Sequence, residues 1–162
     1  MDLISWNKIY ENNKRLDGIF YQKYQNDVEI YEKNCIEFLV ELGEFINETK
    51  IFKYWSIKKP DKEKILDEYA DNITMCLYFY REFNVMIDDR YLHIESTNIL
   101  EIVNYLYQKI SLLFENKASN LIQDIFYNLL YLGDLLGISE KEILEAIDKK
   151  HKIIEERLNS NY

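Results

Sequence analysis

The scarcity of glycine and proline limits the fold of this chain more than any other feature: 162 residues contain four glycines and one proline. A β-rich fold needs many turns, and turns depend on these residue types. Apolar residues instead recur at helical spacing along several segments, and hydrophobic residues make up 48% of the chain. The sequence therefore predicts an all-α protein, a bundle of about six helices in one domain over residues 1–162.

Local signals predict where the helices begin and end. Asn26 or Asp27 is a candidate cap for the second helix, Pro60 begins the third, and Ser96 or Thr97 is a candidate cap for the fourth. The predicted helices cover about 2–24, 27–48, 60–83, 97–115, 118–136 and 139–159. The last begins with a capping box, Ser-x-x-Glu, directly after a glycine stop.

The fifth predicted helix, 118–136, is apolar on most faces. Such a helix is expected to be buried, either in the core or between subunits. Because it needs cover, the sequence predicts a homodimer.

Charge and cysteine content exclude several classes of protein. A net charge of −9 disfavours binding to nucleic acid, and no apolar stretch reaches the roughly 20 residues of a membrane span. The N-terminus lacks the pattern of a signal peptide, which predicts a cytoplasmic location. Cys35 and Cys76 lie in apolar helical patterns and are expected to be buried free thiols. His93 and His151 have no metal-ligand partners in sequence and are expected at the surface.

Acidic residues form one stripe on the second predicted helix: Glu37, Glu41, Glu44 and Glu48 are spaced by four, three and four residues. This spacing stacks them on one face, where like charges repel by a few tenths of a kcal/mol for each pair. The residues around Glu41 and Glu44 are almost all apolar, which argues against a fully solvated face. A bound cation would offset the repulsion.

The third predicted helix repeats this pattern with Glu68 and Asp71 in apolar surroundings. Two antiparallel helices joined by a short loop would bring ExxE and ExxD face to face, and an all-oxygen site of this kind suits Mg²⁺ or Mn²⁺. A di-iron site is disfavoured, because it usually includes Glu-x-x-His and neither helix has a histidine. The alternative is a pair of solvated acidic faces on a non-catalytic helical oligomerisation protein.

The segment ELGEFINETKIFKYWSIKKPDKEKILDEYAD, residues 41–71, resembles the signature of the dimeric all-α dUTP diphosphatases, relatives of the MazG-like NTP pyrophosphohydrolases. The resemblance consists of ExxE, NETK, an aromatic and basic FKYW linker, and ExxD. It is strongest over 36–75, is weaker at NNKRLD near the N-terminus, and returns at YLGDLLGISEKEILEAIDKKHKIIEER. Residues 85–118 match only as helical filler.

The resemblance implies an Mg²⁺-dependent hydrolase that forms a homodimer and converts dUTP, and also dUDP, to dUMP. Carried over by position, it implies that the metal ligands are Glu41, Glu44, Glu68 and Asp71, with Glu41 or Glu44 as the base that activates water. The implied substrate-binding residues are Asn13 and Asp17 for the base, Trp55 as an aromatic wall shared with Phe52 or Tyr54, Thr74 near the sugar or base, and Lys53, Lys150 and Arg157 for the phosphates.

This chain departs from the family pattern at three positions. Thr74 stands where the family often has histidine, Ile154 where it usually has asparagine, and Asn13 at the position of an N-terminal glutamine. Two of these positions help to discriminate base and sugar. The open alternative is therefore a related pyrophosphohydrolase for another nucleotide, such as dCTP or a nucleotide with a damaged base.

Overall fold

The computed structural model describes residues 1–90 and 92–160. This part of the chain forms six α-helices and no strand: α1 Leu3–Tyr24, α2 Ile30–Thr49, α3 Lys62–Glu82, α4 Ile99–Leu112, α5 Ser119–Leu135 and α6 Glu140–Asn159. The predicted all-α class is confirmed, and so is the number of helices.

Side-chain caps account for several helix starts. Asp2 and Asp61 accept hydrogen bonds from the first-turn backbone of α1 and α3, and Ser139 forms the predicted capping box with Glu142 on α6. Gly137 ends the preceding turn with a φ of 73°, a left-handed conformation that glycine adopts without strain. The side-chain caps at Asp2, Asp61 and Ser139 each stabilise the fold by about 1 kcal/mol.

Two of the predicted starts were wrong. Helix α2 begins at Ile30, and its N-cap position is Glu29, which makes no side-chain cap hydrogen bond. Asp27 instead binds the Glu29 amide and pairs with Lys33, so the chain makes a local turn before the helix begins. Helix α4 is capped by Asn98, whose side chain accepts from the Leu100 amide.

Helix α3 lies at the centre of the bundle and packs against α1, α2, α5 and α6. Helices α2 and α3 run antiparallel: Phe45 contacts Tyr69 with ring centroids 5.0 Å apart, and Phe38 stacks on Phe79 at 5.9 Å. All four of these rings are fully buried. The contact brings the ExxE and ExxD segments of the two helices together.

Helix α5 finds its cover within the chain. It packs against α3 and α4, and most of its apolar side chains are buried. Gly133 allows a close approach to α3, because a Cβ there would lie only 2.6 Å from the Tyr69 hydroxyl. The reason given from sequence for a homodimer was therefore wrong: α5 needs no second subunit to cover it.

The two cysteines, Cys35 and Cys76, are buried and free, as predicted. No single described helix has both the length and the apolar composition for crossing a membrane; α5 and α6 together reach that composition, but as a pair bent by 115°.

Candidate metal and nucleotide site

Three glutamates from α2 and α3 meet at one point. A carboxylate oxygen from each of Glu41, Glu44 and Glu68 lies within 4.8 Å of the other two. Asn72 fastens the two helices beside this cluster, because its side-chain amide donates to the backbone carbonyls of Glu41 and Glu68, both at 2.9 Å. The cluster is therefore built on two rigid helices.

The carboxylates of this cluster are electrostatically strained. Burial, together with the negative charges of Asp71, Glu44, Glu37 and Glu68, raises the pKa of Glu41 to about 7. Burial, together with the charges of Asp71 and Glu44, also raises the pKa of Glu68. One oxygen of Glu41, Oε2, is buried and has no hydrogen-bond partner among the described residues.

These features fit a divalent cation. A cation would remove the repulsion among the three carboxylates, and it would give the orphaned Glu41 oxygen a partner. The donor set consists of hard oxygen atoms, and among the described residues no histidine or cysteine belongs to it, which favours Mg²⁺ or Mn²⁺ over a softer metal.

Asp71 lies next to this cluster but has a different partner. Its carboxylate pairs with Lys150 of α6 at 2.7 Å, and Lys150 also contacts Asp67 at 3.3 Å. Burial raises the pKa of Asp71 even though Lys150 lowers it. Burial would lower the pKa of Lys150, but the hydrogen bond and charge of Asp71 raise it overall. Of the four predicted metal ligands, the structure thus groups three and pairs the fourth with a cation of the chain.

A cavity of about 400 Å³ opens from Glu41 and Asp71 toward α1. It is bounded by α1, α2, α3 and α6, and its lining includes residues from all four helices. Seven of the residues predicted from sequence line it: Asn13, Asp17, Glu41, Asp71, Thr74, Lys150 and Arg157. The structure therefore brings together groups that are up to 144 positions apart in the chain, between Asn13 and Arg157.

The end of the cavity away from the glutamates is polar and internally paired. Asp17 pairs with Arg81 at 2.9 Å, and the Arg81 guanidinium lies over the rings of Tyr21 and Tyr78 at 5.1 and 4.9 Å. Burial raises the pKa of Asp17 to about 6, although Arg81 opposes this shift. Asp17 is therefore ionised at neutral pH and held in place by its partner.

Sequence reasoning missed several groups at this end. Tyr21 and Asn34 line the cavity, and the Asn34 amide donates to the Tyr21 hydroxyl at 2.8 Å. Arg81 was also missed. All three positions that depart from the family pattern, Asn13, Thr74 and Ile154, line the cavity. The Thr74 hydroxyl donates to the Asp71 carbonyl at 2.8 Å, so its proton is committed to the helix backbone.

The aromatic linker between α2 and α3 is not brought to the cavity. Trp55 is 63% exposed and contacts Phe52 and Tyr54, with centroids 6.1 and 5.0 Å away. Lys53 donates to the side-chain oxygen of Asn47 at 2.5 Å. None of these linker residues is among those that line the cavity.

The prediction for one histidine was wrong. His93 is exposed, as expected, but His151 is 1% exposed and lies between α1 and α6. Its ring nitrogens contact Asn12 and Asn13. A signal for this burial was present in the sequence, because His151 continues the i, i+4 spacing of Ile143 and Ile147, the other buried residues of α6.

An antiparallel helix pair with facing carboxylates, opening on a cavity that also holds cationic side chains, defines the class of protein: an all-α, acidic-site enzyme suited to phosphate chemistry. A family model described as dUTPase matches residues 5–162. The chain belongs to the dUTPase family, and it is a nucleotide diphosphatase, a hydrolase of a family that acts on dUTP and generally depends on a divalent metal. Comparison with curated proteins and with solved structures gives no significant match.

Proposed function

We propose that this chain hydrolyses dUTP to dUMP and pyrophosphate in an Mg²⁺-dependent reaction, and that it also accepts dUDP. The observation that supports this most strongly is the cluster of Glu41, Glu44 and Glu68, because Glu41 also lines a cavity that is lined on the side of α1 by fixed polar groups. A triphosphate needs charge neutralisation at one end, and a base needs directional hydrogen bonds at the other.

Glu41, Glu44 and Glu68 are the proposed ligands of the cation. A bound Mg²⁺ supplies charge neutralisation for the phosphate chain and lowers the pKa of a bound water. Asp71 would complete the ligand set if Lys150 paired with a phosphate oxygen instead. Asp71 and Lys150 both line the cavity and are partly buried there, so this change of partners requires only side-chain movement.

Glu41 or Glu44 is the proposed general base. The base must take a proton from water near neutral pH, and the raised pKa of Glu41, about 7, suits that role. A carboxylate oxygen of Glu41 or Glu44 that does not ligate the cation would accept a hydrogen bond from the attacking water. No covalent intermediate is required.

Lys150 and Arg157 are the proposed phosphate-binding residues. Both lie on α6 and line the cavity, seven positions apart on one helix face. Positive charge here stabilises the negative charge that builds on the leaving pyrophosphate. Lys53, from the linker, is proposed as an additional phosphate contact, and Trp55, with Phe52 or Tyr54, as an aromatic wall. For both linker roles the loop must close over the cavity.

Asn13, Asp17 and Thr74 are the proposed contacts to base and sugar, since all three line the cavity. Ile154 gives this wall an apolar patch where the family usually has an amide. Because Thr74 and Ile154 both differ from the family pattern, dCTP is the second candidate substrate.

A homodimer remains part of this proposal, but on new grounds. Ile36 and Val40 of α2 are 52% and 53% exposed and lie one helical turn apart. Adjacent exposed apolar side chains of this kind favour association. Sedimentation equilibrium of the wild type and of Val40→Lys tests it: a dimer that Val40→Lys turns into a monomer is expected, and a monomeric wild type would contradict it. The buried free cysteines support the proposed cytoplasmic location.

A substrate panel tests the function. Release of pyrophosphate from dUTP, dCTP, dTTP and UTP, and of phosphate from dUDP, is measured with Mg²⁺, with Mn²⁺ and with EDTA. The expected result is the highest kcat/KM for dUTP with Mg²⁺, and no turnover with EDTA. If dUTP is among the poorest substrates, the uracil assignment fails; if EDTA leaves the rate unchanged, the proposed role of the glutamates fails.

A further inference from the structure

A chain of hydrogen bonds runs from the surface of α1 to the polar end of the cavity. It begins at Arg15, whose Nε and Nη2 donate to Oδ1 of Asn12 at 3.2 and 2.9 Å. The Nδ2 atom of Asn12 then contacts Nδ1 of His151 at 3.0 Å, and Nε2 of His151 contacts Oδ1 of Asn13 at 3.1 Å. Finally, Nδ2 of Asn13 donates to Asp17 at 3.1 Å.

The direction of every bond in this chain is fixed by its two ends. An arginine can only donate, so the oxygen of Asn12 must face Arg15 and its amide nitrogen must face His151. His151 therefore accepts at Nδ1, carries its proton on Nε2, and donates to the oxygen of Asn13. An ionised aspartate can only accept, so Asp17 requires the amide nitrogen of Asn13 on its side. The two ends demand the same orientation.

The imidazole is well placed to keep this orientation at neutral pH. His151 is 1% exposed, and burial lowers its pKa to about 4, an effect that Asp148 opposes and Arg15 supports. A neutral ring keeps one donor and one acceptor nitrogen, which is what the chain of hydrogen bonds requires.

We propose that His151 is a positioning residue that fixes the carboxamide of Asn13 so that its amide nitrogen, rather than its oxygen, faces the nucleotide cavity. Asn13 is 4% exposed and lines the cavity. One of its two amide hydrogens binds Asp17, and the other is available to a ligand. A donor at this wall favours a carbonyl oxygen on the base over an amino group, and so favours uracil over cytosine.

This inference rests on the proposed function, because it assigns the base to the end of the cavity where Asn13 lies. It explains how the chain can select uracil although Thr74 and Ile154 depart from the family pattern. Without His151, only the hydrogen bond to Asp17 would hold the Asn13 carboxamide in this orientation, and the oxygen of Asn13 would face the amino group of cytosine more often.

Kinetics of two variants test this role. In His151→Leu the preference for dUTP over dCTP, measured as the ratio of kcat/KM values, is expected to fall by about 10-fold or more through a higher KM for dUTP, with kcat nearly unchanged. His151→Gln keeps a donor toward Asn13 and is expected to restore most of the preference. A purely structural residue would lower the melting temperature but leave the ratio unchanged, and that result would overturn the proposal.

A second measurement does not depend on activity. The chain has two histidines, so long-range ¹H–¹⁵N spectra of the wild type and of His93→Gln, which serves as the control, identify the His151 ring. A neutral ring protonated on Nε2 at pH 7 is expected; a ring protonated on Nδ1, or on both nitrogens, would overturn the proposal. If the wild type hydrolyses no nucleotide, the proposed function fails, and these spectra still decide the His151 arrangement.

Discussion

The two ends of the cavity differ in how their charged side chains are paired. At the acidic end, Glu41, Glu44 and Glu68 repel one another, and a buried oxygen of Glu41 has no partner among the described residues. At the polar end, Asp17 has both an arginine and an amide as partners. The acidic end is therefore incomplete without a cation, whereas the polar end is already assembled.

The largest expected effect is the loss of a proposed ligand at the acidic end. Glu44→Ala should lower kcat/KM for dUTP by about 100-fold or more, because metal binding and water activation both depend on the cluster. Its free energy of unfolding without metal should stay the same or rise slightly, since one source of repulsion is removed. Steady-state kinetics, metal titration by calorimetry and chemical denaturation check these points.

The matched control for this variant is Glu145→Ala. Glu145 is an exposed glutamate of α6 with a surface partner, Lys141, and its loss should leave the kinetics unchanged. Equal activity of Glu44→Ala and wild type would show that the cluster takes no part in the reaction.

At the polar end, we expect the loss of an ion-pair partner to lower the stability of the folded chain, whereas at the acidic end the loss of a glutamate leaves stability unchanged or raises it. Arg81→Leu leaves the partly buried Asp17 carboxylate without its cation, and we expect it to cost about 2 kcal/mol in the free energy of unfolding. Adding Asp17→Asn should recover part of that loss, because the unpaired charge is then gone. Urea denaturation of both single variants and the double variant gives the coupling energy. Strict additivity would contradict a direct interaction.

A third expected effect is the pH dependence of stability at the acidic end. The pKa of Glu41 is raised from 4.5 to about 7 in the folded chain, so the folded state holds its proton more tightly than the unfolded state. Its stabilising contribution is therefore full below pH 4.5 and is lost as the pH rises through 7. In EDTA, the free energy of unfolding of Glu41→Gln, relative to that of the wild type, should therefore rise by about 1–2 kcal/mol between pH 5 and pH 8.

Comparing wild type with Glu41→Gln cancels the contribution of Asp17, whose pKa of about 6 lies in this range. With Mg²⁺ at pH 8, the wild type should be more stable than Glu41→Gln, because the cation binds the ionised cluster of the wild type and stabilises its folded state. If the difference in free energy of unfolding between the two proteins does not change with pH, the pKa of Glu41 is not raised in the folded state.

Local signals in the sequence predicted six helices and the facing ExxE and ExxD segments, but not the starts of α2 and α4 or the pairing of Asp71 with Lys150. The ExxE and ExxD spacings place carboxylates on single helix faces, and Ser139 with Glu142 marks a helix start within four residues. The polar end was predicted only in part, at Asn13 and Asp17. Its partners come from distant segments: Arg81 is 64 positions from Asp17, and His151 is 138 positions from Asn13.

The first helix shows why periodicity alone was insufficient. Ile4, Ile19 and Phe20 recur at roughly helical spacing with the other apolar residues of α1, yet they are exposed, while Trp6 and Asn13 are buried. Asn13 can be buried because His151 and Asp17 satisfy its amide. The i, i+4 spacing of Asn13 and Asp17 lies within α1, but His151 lies on α6, so the pattern of a single helix predicts only part of this arrangement.

The smallest expected effect concerns the helix that carries Asn13 and Asp17. Gly18 lies in α1, is exposed, and an added Cβ would meet no atom within 4 Å. Gly18→Ala should therefore raise the free energy of unfolding by about 0.5–1 kcal/mol, because alanine loses less backbone freedom in a helix. Since the polar end is already assembled, KM for dUTP should not change. The matched variant is Gly133→Ala on α5, where a Cβ would meet the Tyr69 hydroxyl at 2.6 Å and stability should fall by about 1–3 kcal/mol. If Gly18→Ala lowered KM, part of the binding energy would be going into ordering α1, and the polar end would be less preorganised than its hydrogen bonds indicate.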